Sequence, residues 1–434
     1  MRESGQHFAI ATAALAAFSV CGQASSPTLT TLYQFTGNLG GPDGSYPLAP
    51  LTLGPGGMIY GTTRLGGVVN STCPQGCGTV FSLTPSASSG LPWNETVLHS
   101  FTAGSDGYWP TGALILDQSG VLYGTTAVGG VSGLGTVFSL EPPVLSGAPW
   151  VEQILYNFVG PVGPGGDGAG LFGKLVMADS GALYGTTQSG GTYGLGTVFS
   201  LVPPTARGNS WSESVLWSFG GEGDGSNPLS GLVGSAGKLY GTTALGGASN
   251  YGTVFSLVPP TAPGGAWTEA VLHSFAGGND GANPEYGSLV VGARGGLFGT
   301  TLNGGQYAKG TVFSLAPPTA PGGAWTENVI FSFLYRSGDL PDGGLALDKA
   351  GNLYGATSFG GDGDQSLGTV FQLAPPVSPQ SEWKFNELYS FTARTGIAPM
   401  TGVTLDPARK VIYGTTSGYY YINQNGGTVF SLTF

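Results

Sequence analysis

The chain has 434 residues, of which 80 are Gly and 30 are Pro, and its formal net charge is −11. Only 9 % of the residues are charged, and the 13 Lys and Arg residues are scattered along the chain. Because phosphate recognition depends on clustered cations, this composition argues against nucleic acids and anionic membrane surfaces as partners. Gly recurs between β-branched and aromatic runs, which is typical of turns in an all-β chain.

The first residues have the pattern of a targeting segment. Arg2 precedes an apolar stretch over residues 8–20, and small residues follow it. This pattern predicts a signal peptide over residues 1–24 and a protein that is secreted to the periplasm or the exterior. The apolar stretch is too short to span a bilayer, and we expect no membrane span elsewhere. Lipidation of Cys21 is an alternative, disfavoured because Val20 stands where a small residue is expected.

One two-part phrase is repeated seven times between residues 25 and 434. Its first part is Leu-Tyr-Gly-Thr-Thr and its second part is Gly-Thr-Val-Phe-Ser-Leu, as at residues 122–126 and 135–140. Successive copies lie 56 to 63 residues apart. The aromatic residues of the first part are Tyr60, Tyr123, Tyr184, Tyr240, Phe298, Tyr354 and Tyr413. A period of this length suits the four-stranded blade of a β-propeller better than the coil of a solenoid.

Each repeat contains four strand-like runs separated by turn residues. In the second repeat these runs are residues 113–116, 121–126, 136–140 and 150–158. The last repeat stops at Phe434 after its third run, while an unmatched run of the fourth type opens the chain at residues 29–35. We therefore predict an all-β, seven-bladed β-propeller with four-stranded blades, in which the N-terminal strand completes the last blade and closes the ring.

The combination of LYGTT, a Gly-Gly pair and GTVFSL covers nearly the whole chain after the signal peptide. It resembles the GloVer tandem repeat of bacterial proteins that carry varied C-terminal anchors. The resemblance implies a secreted, propeller-like repeat protein, and it supplies no activity or catalytic residue. This sequence departs from that pattern because no anchor follows the last repeat, and we therefore expect release rather than surface attachment.

Neither the cysteines nor the histidines of the sequence indicate a reactive centre. Cys73 and Cys77 lie in one loop, which predicts a local disulfide, since a C-x-x-x-C pair without His neighbours is a poor zinc site. His99 and His273 share one slot of the fourth strand, where the other repeats have aromatic rings, so we expect them to pack. A Glu that recurs two residues after a Trp in the same strand has an architectural position. We expect no metal and no cofactor.

The first candidate site consists of Asp-Gly pairs, which precede the first strand in six of the repeats. The loops that carry these pairs open on the same face of a propeller as the loops between the second and third strands. The six acids are Asp43, Asp106, Asp167, Asp224, Asp280 and Asp342. As a carboxylate ring at the channel mouth they would bind a cation or a basic ligand. As turn residues they would accept backbone N–H groups, and their recurrence favours this interpretation.

Loop residues that break the repeat form a second candidate site. Aromatic rings beside amides suit sugar recognition, because the ring stacks on the C–H face while the amides bond to hydroxyls. The candidate ligand-binding residues are Tyr108, Trp109, Tyr193, Tyr251, Tyr307, Tyr419, Tyr420 and Asn423. The alternative is that these side chains cover neighbouring loops.

The sequence thus favours a secreted, non-catalytic, monomeric propeller that binds an extracellular glycan or protein ligand through one face. No nucleophile motif such as G-x-S-x-G is present, although acid pairs from distant repeats can still meet across the channel. Two alternatives stay open: a structural protein of the envelope or matrix, and a lyase or glycosidase that acts on polysaccharide.

Overall fold

The computed structural model describes residues 27–433, apart from 38–39, 87–91, 146, 161–165, 207–208, 221–222, 263, 321, 363–365, 379 and 419–425. The predicted signal peptide at residues 1–24 therefore lies outside the described residues. In the described part of the chain, the helical content is three single 3-10 turns, at Pro55–Gly57, Gly278–Asp280 and Ala293–Gly295. Across the described residues, no helix has the length and apolar character needed to cross a membrane.

The strands form seven four-stranded antiparallel sheets, which are the blades of the predicted β-propeller. In each blade the strands follow one another from the first, at the axis of the ring, to the fourth, at its rim. The first strands are Thr52–Leu53, Ile115–Leu116, Val176–Met177, Val233–Ser235, Val290–Val291, Ala346–Leu347 and Thr404–Asp406. The second strands are Ile59–Thr63, Leu122–Thr126, Leu183–Thr187, Lys238–Thr243, Leu297–Thr301, Leu353–Thr357 and Val411–Thr416.

The outer half of each blade contains longer strands. The third strands are Thr79–Thr84, Thr136–Glu141, Thr197–Val202, Thr253–Val258, Thr311–Ala316, Thr369–Ala374 and Thr428–Thr433. The fourth strands are Asn94–Ser100, Val151–Asn157, Ser212–Ser218, Thr268–Ser274, Thr326–Ser332, Lys384–Ser390 and, from the N-terminal end, Thr28–Gln34. A short extra pair, Gly225–Ser226 with Leu245–Gly246, joins two loops of blade 4.

The two ends of the described chain meet in blade 7. The N-terminal strand Thr28–Gln34 pairs antiparallel with Thr428–Thr433, so that Leu29 lies opposite Leu432. The last blade therefore contains strands from both ends, as the complementary sequence runs predict. Closing the ring in this way leaves no blade with an unpaired third strand.

The repeated phrase is one packing unit of two neighbouring strands. Gly61 in the second strand lies opposite Phe81 in the third, and a Cβ on Gly61 would be 2.5 Å from the Phe81 ring. The other six blades have the same Gly and Phe, with equivalent distances of 2.4 to 2.6 Å. At the end of the same strand pair, the hydroxyls of Thr63 and Thr79 are 2.8 Å apart and share a hydrogen bond. The phrase is therefore fixed by packing inside each blade.

Aromatic side chains fill the interfaces between blades. Phe101, directly after the fourth strand of blade 1, packs edge-to-face on Phe138 of blade 2, with ring centroids 5.2 Å apart. At the same interface, Trp150 of blade 2 packs on Tyr60 of blade 1, with ring centroids 6.1 Å apart. The hydrophobic core thus runs around the ring through every interface. In the second-to-third-strand loop of blade 1, the predicted disulfide between Cys73 and Cys77 is present.

Candidate functional site

Five of the six candidate Asp residues lie in the turns between blades, where their carboxylates hold the backbone. Asp106 accepts hydrogen bonds from the N–H of Thr102 at 2.7 Å and from the N–H of Gly104 at 3.1 Å. The equivalent residues Asp43, Asp167, Asp224 and Asp280 accept backbone N–H groups at 2.6 to 3.2 Å. In the remaining two turns the hydroxyls of Ser337 and Thr395 take this place. These positions stabilise the connections between blades.

Asp342 has a different place from the other five acids. Ser337 occupies the acid position of its turn, and Asp342 follows five residues later at the central cavity. It is only 8 % exposed and accepts a hydrogen bond from the Ser358 hydroxyl. Burial raises the pKa of Asp342 to about 7; Ser358 opposes this shift, and the carboxylates of Glu285 and Asp339 add to it. The channel therefore contains an acid that titrates near neutral pH.

The first strands and the turns before them surround a central cavity of about 1060 Å³. Its wall is largely apolar and includes Leu53, Met177 and Leu347 at the far ends of the first strands. At the mouth formed by the blade-connecting turns, Tyr46 and Tyr286 face the same space. A cavity of this volume with a largely apolar wall and some polar side chains has the usual properties of a small-molecule binding site.

Two cationic side chains face this cavity. Arg64 follows the second strand of blade 1, and its guanidinium stacks on Trp109 at 4.5 Å from the ring centre. Lys174 precedes the first strand of blade 3, at the position that Ala113 occupies in blade 2. The Lys174 side chain is open to the cavity, yet the protein atoms around it lower its pKa through desolvation. Within the described residues, neither cation forms an ion pair.

The aromatic residues at the mouth are held by an uncommon backbone conformation. Tyr46 and Trp109 occupy equivalent turn positions with φ of 60° and 59°, in the left-handed region. A residue with a Cβ is disfavoured there by about 1–2 kcal/mol. Burial also raises the pKa of the Tyr286 phenol; Glu285 and Asp342 add to this shift, and Arg64 opposes it. The Tyr286 phenol therefore interacts electrostatically with the charged groups at the mouth of the cavity.

The structure distributes the predicted ligand-binding aromatics over several places. Tyr108 packs edge-to-face on Trp109, which supports Arg64. Tyr193, Tyr251 and Tyr307 are 61 %, 44 % and 49 % exposed. Tyr193 lies against Gly220 and Tyr251 against Gly277, so both cover the turns next to them. Tyr193 also borders a second cavity of about 650 Å³ with Trp217 and Trp267 at the outer strands. Tyr419, Tyr420 and Asn423 lie outside the described residues.

A pair of acids recurs at five of the seven blade interfaces. It consists of the Asp of the turn and a Glu from the fourth strand of the following blade. The Glu residues are Glu95, Glu152, Glu213, Glu269 and Glu327. In each of them Oε1 is buried without a hydrogen-bond partner in the described part of the chain, and burial raises its pKa to about 7.

The two remaining interfaces lack both acids of this pair. Ser337 and Phe385 occupy the two positions at one of them, and Thr395 and Leu29 occupy them at the other. The two acids are therefore present or absent together. The slot of His99 and His273 faces these pairs, so that both histidines lie beside an Asp and a Glu. Each of these two groups places three ligand atoms within 4.8 Å of one another.

The model of the Gloeobacter/Verrucomicrobia repeat family matches residues 21–168, 151–326 and 261–434. The chain belongs to this repeat family. No protein of curated function has a matching sequence.

Solved propeller structures resemble this repeat protein only weakly. The periplasmic gluconolactonase PpgL of Pseudomonas aeruginosa is 14 % identical, with a TM-score of 0.47 over 94 % of this chain and 99 % of that chain. A putative 6-phosphogluconolactonase from Bacteroides uniformis has the same identity and TM-score over 80 % and 87 %. A variant of NanB sialidase from Streptococcus pneumoniae is 11 % identical, with a TM-score of 0.42 over 93 % and 70 %. Similarity at this level carries no information on activity.

Sequence reasoning missed three residues of this repeat protein's cavity mouth: Arg64, Lys174 and Tyr286. A signal for them was present in the register of the repeats. When the repeats are aligned on the buried Leu or Val that directly precedes the first strand, Lys174 falls in a column that otherwise holds Pro, Ala, Gly and Ser. The same alignment separates Asp342 from the other acids. An alignment on Asp-Gly pairs conceals both features.

Proposed function

We propose that this repeat protein is a secreted, non-catalytic propeller that binds an anionic extracellular ligand at its central cavity. The acidic sugar at the end of a glycan is the ligand class that fits best. One observation carries this proposal: Arg64 and Lys174 face the same largely apolar cavity without an ion-pair partner among the described residues. Desolvation disfavours the charged form of Lys174, and an anionic ligand beside its ammonium would supply the ion-pair partner.

The chemistry of the mouth supports an acidic sugar in particular. A guanidinium binds a carboxylate through two parallel hydrogen bonds, and the stack on Trp109 restricts the plane in which Arg64 presents them. Tyr46 and Tyr286 offer phenol groups to sugar hydroxyls, while the apolar wall suits the C–H faces of a pyranose ring. The Cys73–Cys77 disulfide supports an oxidising compartment outside the cytoplasm.

Binding to an array of acidic oligosaccharides and their neutral counterparts tests this proposal. We expect acidic glycans to bind, and we expect Arg64→Gln and Lys174→Ala each to weaken binding by about 10-fold or more, as for a lost charged hydrogen bond. Ala is the natural residue at the equivalent position of blade 2, so Lys174→Ala should fold. Arg336→Gln and Lys349→Ala remove exposed charges away from the cavity and serve as matched controls.

Two results would count against the proposal. The first is an array on which no acidic glycan binds. The second is a ligand whose affinity is the same for Arg64→Gln, Lys174→Ala and the two controls. In the first case, a structural role in the envelope or matrix would become the better interpretation.

A second candidate function is an acid–base enzyme that acts on an acidic polysaccharide in the same cavity. The observation that favours it is the buried Asp342, whose pKa of about 7 suits proton transfer at neutral pH. Incubation of the protein with uronate polymers, followed by detection of new reducing ends or unsaturated products, distinguishes the two functions. Turnover by the parent that is lost in Asp342→Asn would favour the enzyme. A parent that binds these polymers without cleaving them would favour the binding protein.

A further inference from the structure

The interface between blades 1 and 2 contains a gap among three potential ligand atoms. His99 Nε2 is 3.7 Å from Asp106 Oδ2 and 3.5 Å from Glu152 Oε1. Both distances are longer than the roughly 2.7–3.2 Å of a good hydrogen bond. Among the described residues, neither His99 Nε2 nor Glu152 Oε1 has a hydrogen-bond partner, although both atoms are buried. Two unpartnered polar atoms therefore point at each other across a space that no protein atom bridges.

The other four acid-containing interfaces lack this gap. In each of them the ring of the fourth-strand slot donates to, or shares a proton with, the Asp directly. The distances are 2.9 Å for Tyr33 to Asp43, 2.8 Å for Tyr156 to Asp167, 3.2 Å for Trp217 to Asp224 and 3.1 Å for His273 to Asp280. The interface with His99 is thus the one acid-containing interface of the described chain at which ring and Asp stand apart.

We propose that His99, Asp106 and Glu152 bind a divalent transition-metal ion, with Zn²⁺ as the best match, between blades 1 and 2. Zn²⁺ binds His nitrogen and carboxylate oxygen at about 2.0–2.2 Å, so tetrahedral ligand atoms lie about 3.3 Å apart. The separations of 3.5 and 3.7 Å are near this value, and all three ligand atoms lie within 4.8 Å of one another. An imidazole with two carboxylates suits Zn²⁺ better than Ca²⁺ or Mg²⁺, which prefer oxygen alone.

The surroundings of Asp106 resemble the second coordination shell of a metal site. Its carboxylate accepts the Thr102 hydroxyl at 2.8 Å, in addition to the N–H groups of Thr102 and Gly104. His99 packs edge-to-face on Phe101, with ring centroids 4.7 Å apart. Such contacts orient ligands before the metal binds. The site joins two blades, because His99 belongs to blade 1 and Glu152 to blade 2.

Calorimetric titration of the full chain with Zn²⁺, and absorption spectroscopy with Co²⁺ as a probe of coordination, test this site. Excess Mg²⁺ in the buffer occupies nonspecific surface carboxylates. We expect one saturable Zn²⁺ site in the parent and a fall in the association constant of about 100-fold or more in both His99→Tyr and Glu152→Gln. Tyr occupies the same slot at Tyr33, Tyr156 and Tyr389, so His99→Tyr should keep the fold.

His273→Tyr is the matched control, because it removes the other imidazole from the equivalent slot. We expect it to retain the Zn²⁺ site and the Co²⁺ spectrum of the parent, since His273 already bonds directly to Asp280. Three outcomes would overturn the assignment: no saturable Zn²⁺ binding in the parent, parent-like binding in His99→Tyr, or binding that is lost in His273→Tyr but retained in His99→Tyr.

Discussion

The partly buried Glu residues at the blade interfaces should make the propeller less stable as the pH rises from 4.5 to about 7. Burial raises the pKa of Glu213 from 4.5 to about 7, and Asp167 adds to this shift. Below pH 4.5 this Glu is protonated in both the folded and the unfolded chain. Between the two values only the unfolded chain ionises, so the free energy of unfolding falls; above the folded value the loss is complete.

The size of this effect follows from the shift in pKa. One pKa unit corresponds to about 1.4 kcal/mol, so a shift from 4.5 to about 7 sets an upper value of about 3 kcal/mol for Glu213. Because the side chain is partly exposed, we expect about 2 kcal/mol. The variant Glu213→Leu removes this contribution, and Leu29 occupies the equivalent position in blade 7. The free energy of unfolding of Glu213→Leu relative to the parent should therefore increase by about 2 kcal/mol across this pH range.

Guanidinium unfolding of parent and variant, at several pH values from below 4.5 to above 7, measures this difference. Glu382→Leu makes the same change at an exposed position of blade 6 and serves as the control. A Glu213→Leu variant that differs from the parent by a constant amount at every pH would refute the reasoning. Such a result would mean that packing, and not ionisation, determines the contribution of Glu213.

Three further predictions concern the packing unit, the turns and the mouth. Gly241→Ala places a Cβ 2.6 Å from the Phe255 ring and should lower the free energy of unfolding by about 1–3 kcal/mol in guanidinium; an unchanged midpoint would contradict the packing. Asp167→Ala leaves backbone N–H groups without their acceptor and should cost about 3 kcal/mol or more, measured in the same way, whereas a loss below about 1 kcal/mol would contradict this role. Trp109→Gly relieves the left-handed backbone strain, so thermal stability should change little while acidic-ligand affinity falls with the loss of the Arg64 stack; unchanged affinity would contradict it.

The sequence sufficed to predict the fold because the repeated phrase reports a local contact. Gly61 and Phe81 are opposite each other in one strand pair, so both residues must recur with every blade. The number of blades follows from the number of phrases. The closure at blade 7 follows from the complementary runs at 29–35 and before Phe434. The number of blades and the ring closure can therefore be predicted from the order of residues along the chain and from the two-residue period of a strand.

The candidate site could be predicted only in part, because its residues come together across the ring. Arg64 belongs to blade 1 and Tyr286 to blade 5, and their side chains interact only once the ring has closed. Asp342 looked like a member of the Asp-Gly series because its dipeptide is the same, although Ser337 has the equivalent place in the turn. The sequence shows that the Asp-Gly dipeptide is present. Only the hydrogen bonds of the turn show which residue of each repeat occupies the acceptor position.

The propeller separates the residues that stabilise it from those available for recognition by their distance from the axis. At the rim, each acid pair lies between two adjacent blades. Where Ser337 replaces the Asp, Phe385 replaces the Glu, so the two residues of the pair differ together. At the axis, each blade presents its own side chains to one shared cavity, as Arg64 does from blade 1 and Lys174 from blade 3. Lys174 stands at a position where the other blades have a small residue or Pro. It shares with Arg64 only the wall of the central cavity. Specificity can therefore vary at the axis while the packing that holds the blades together stays the same.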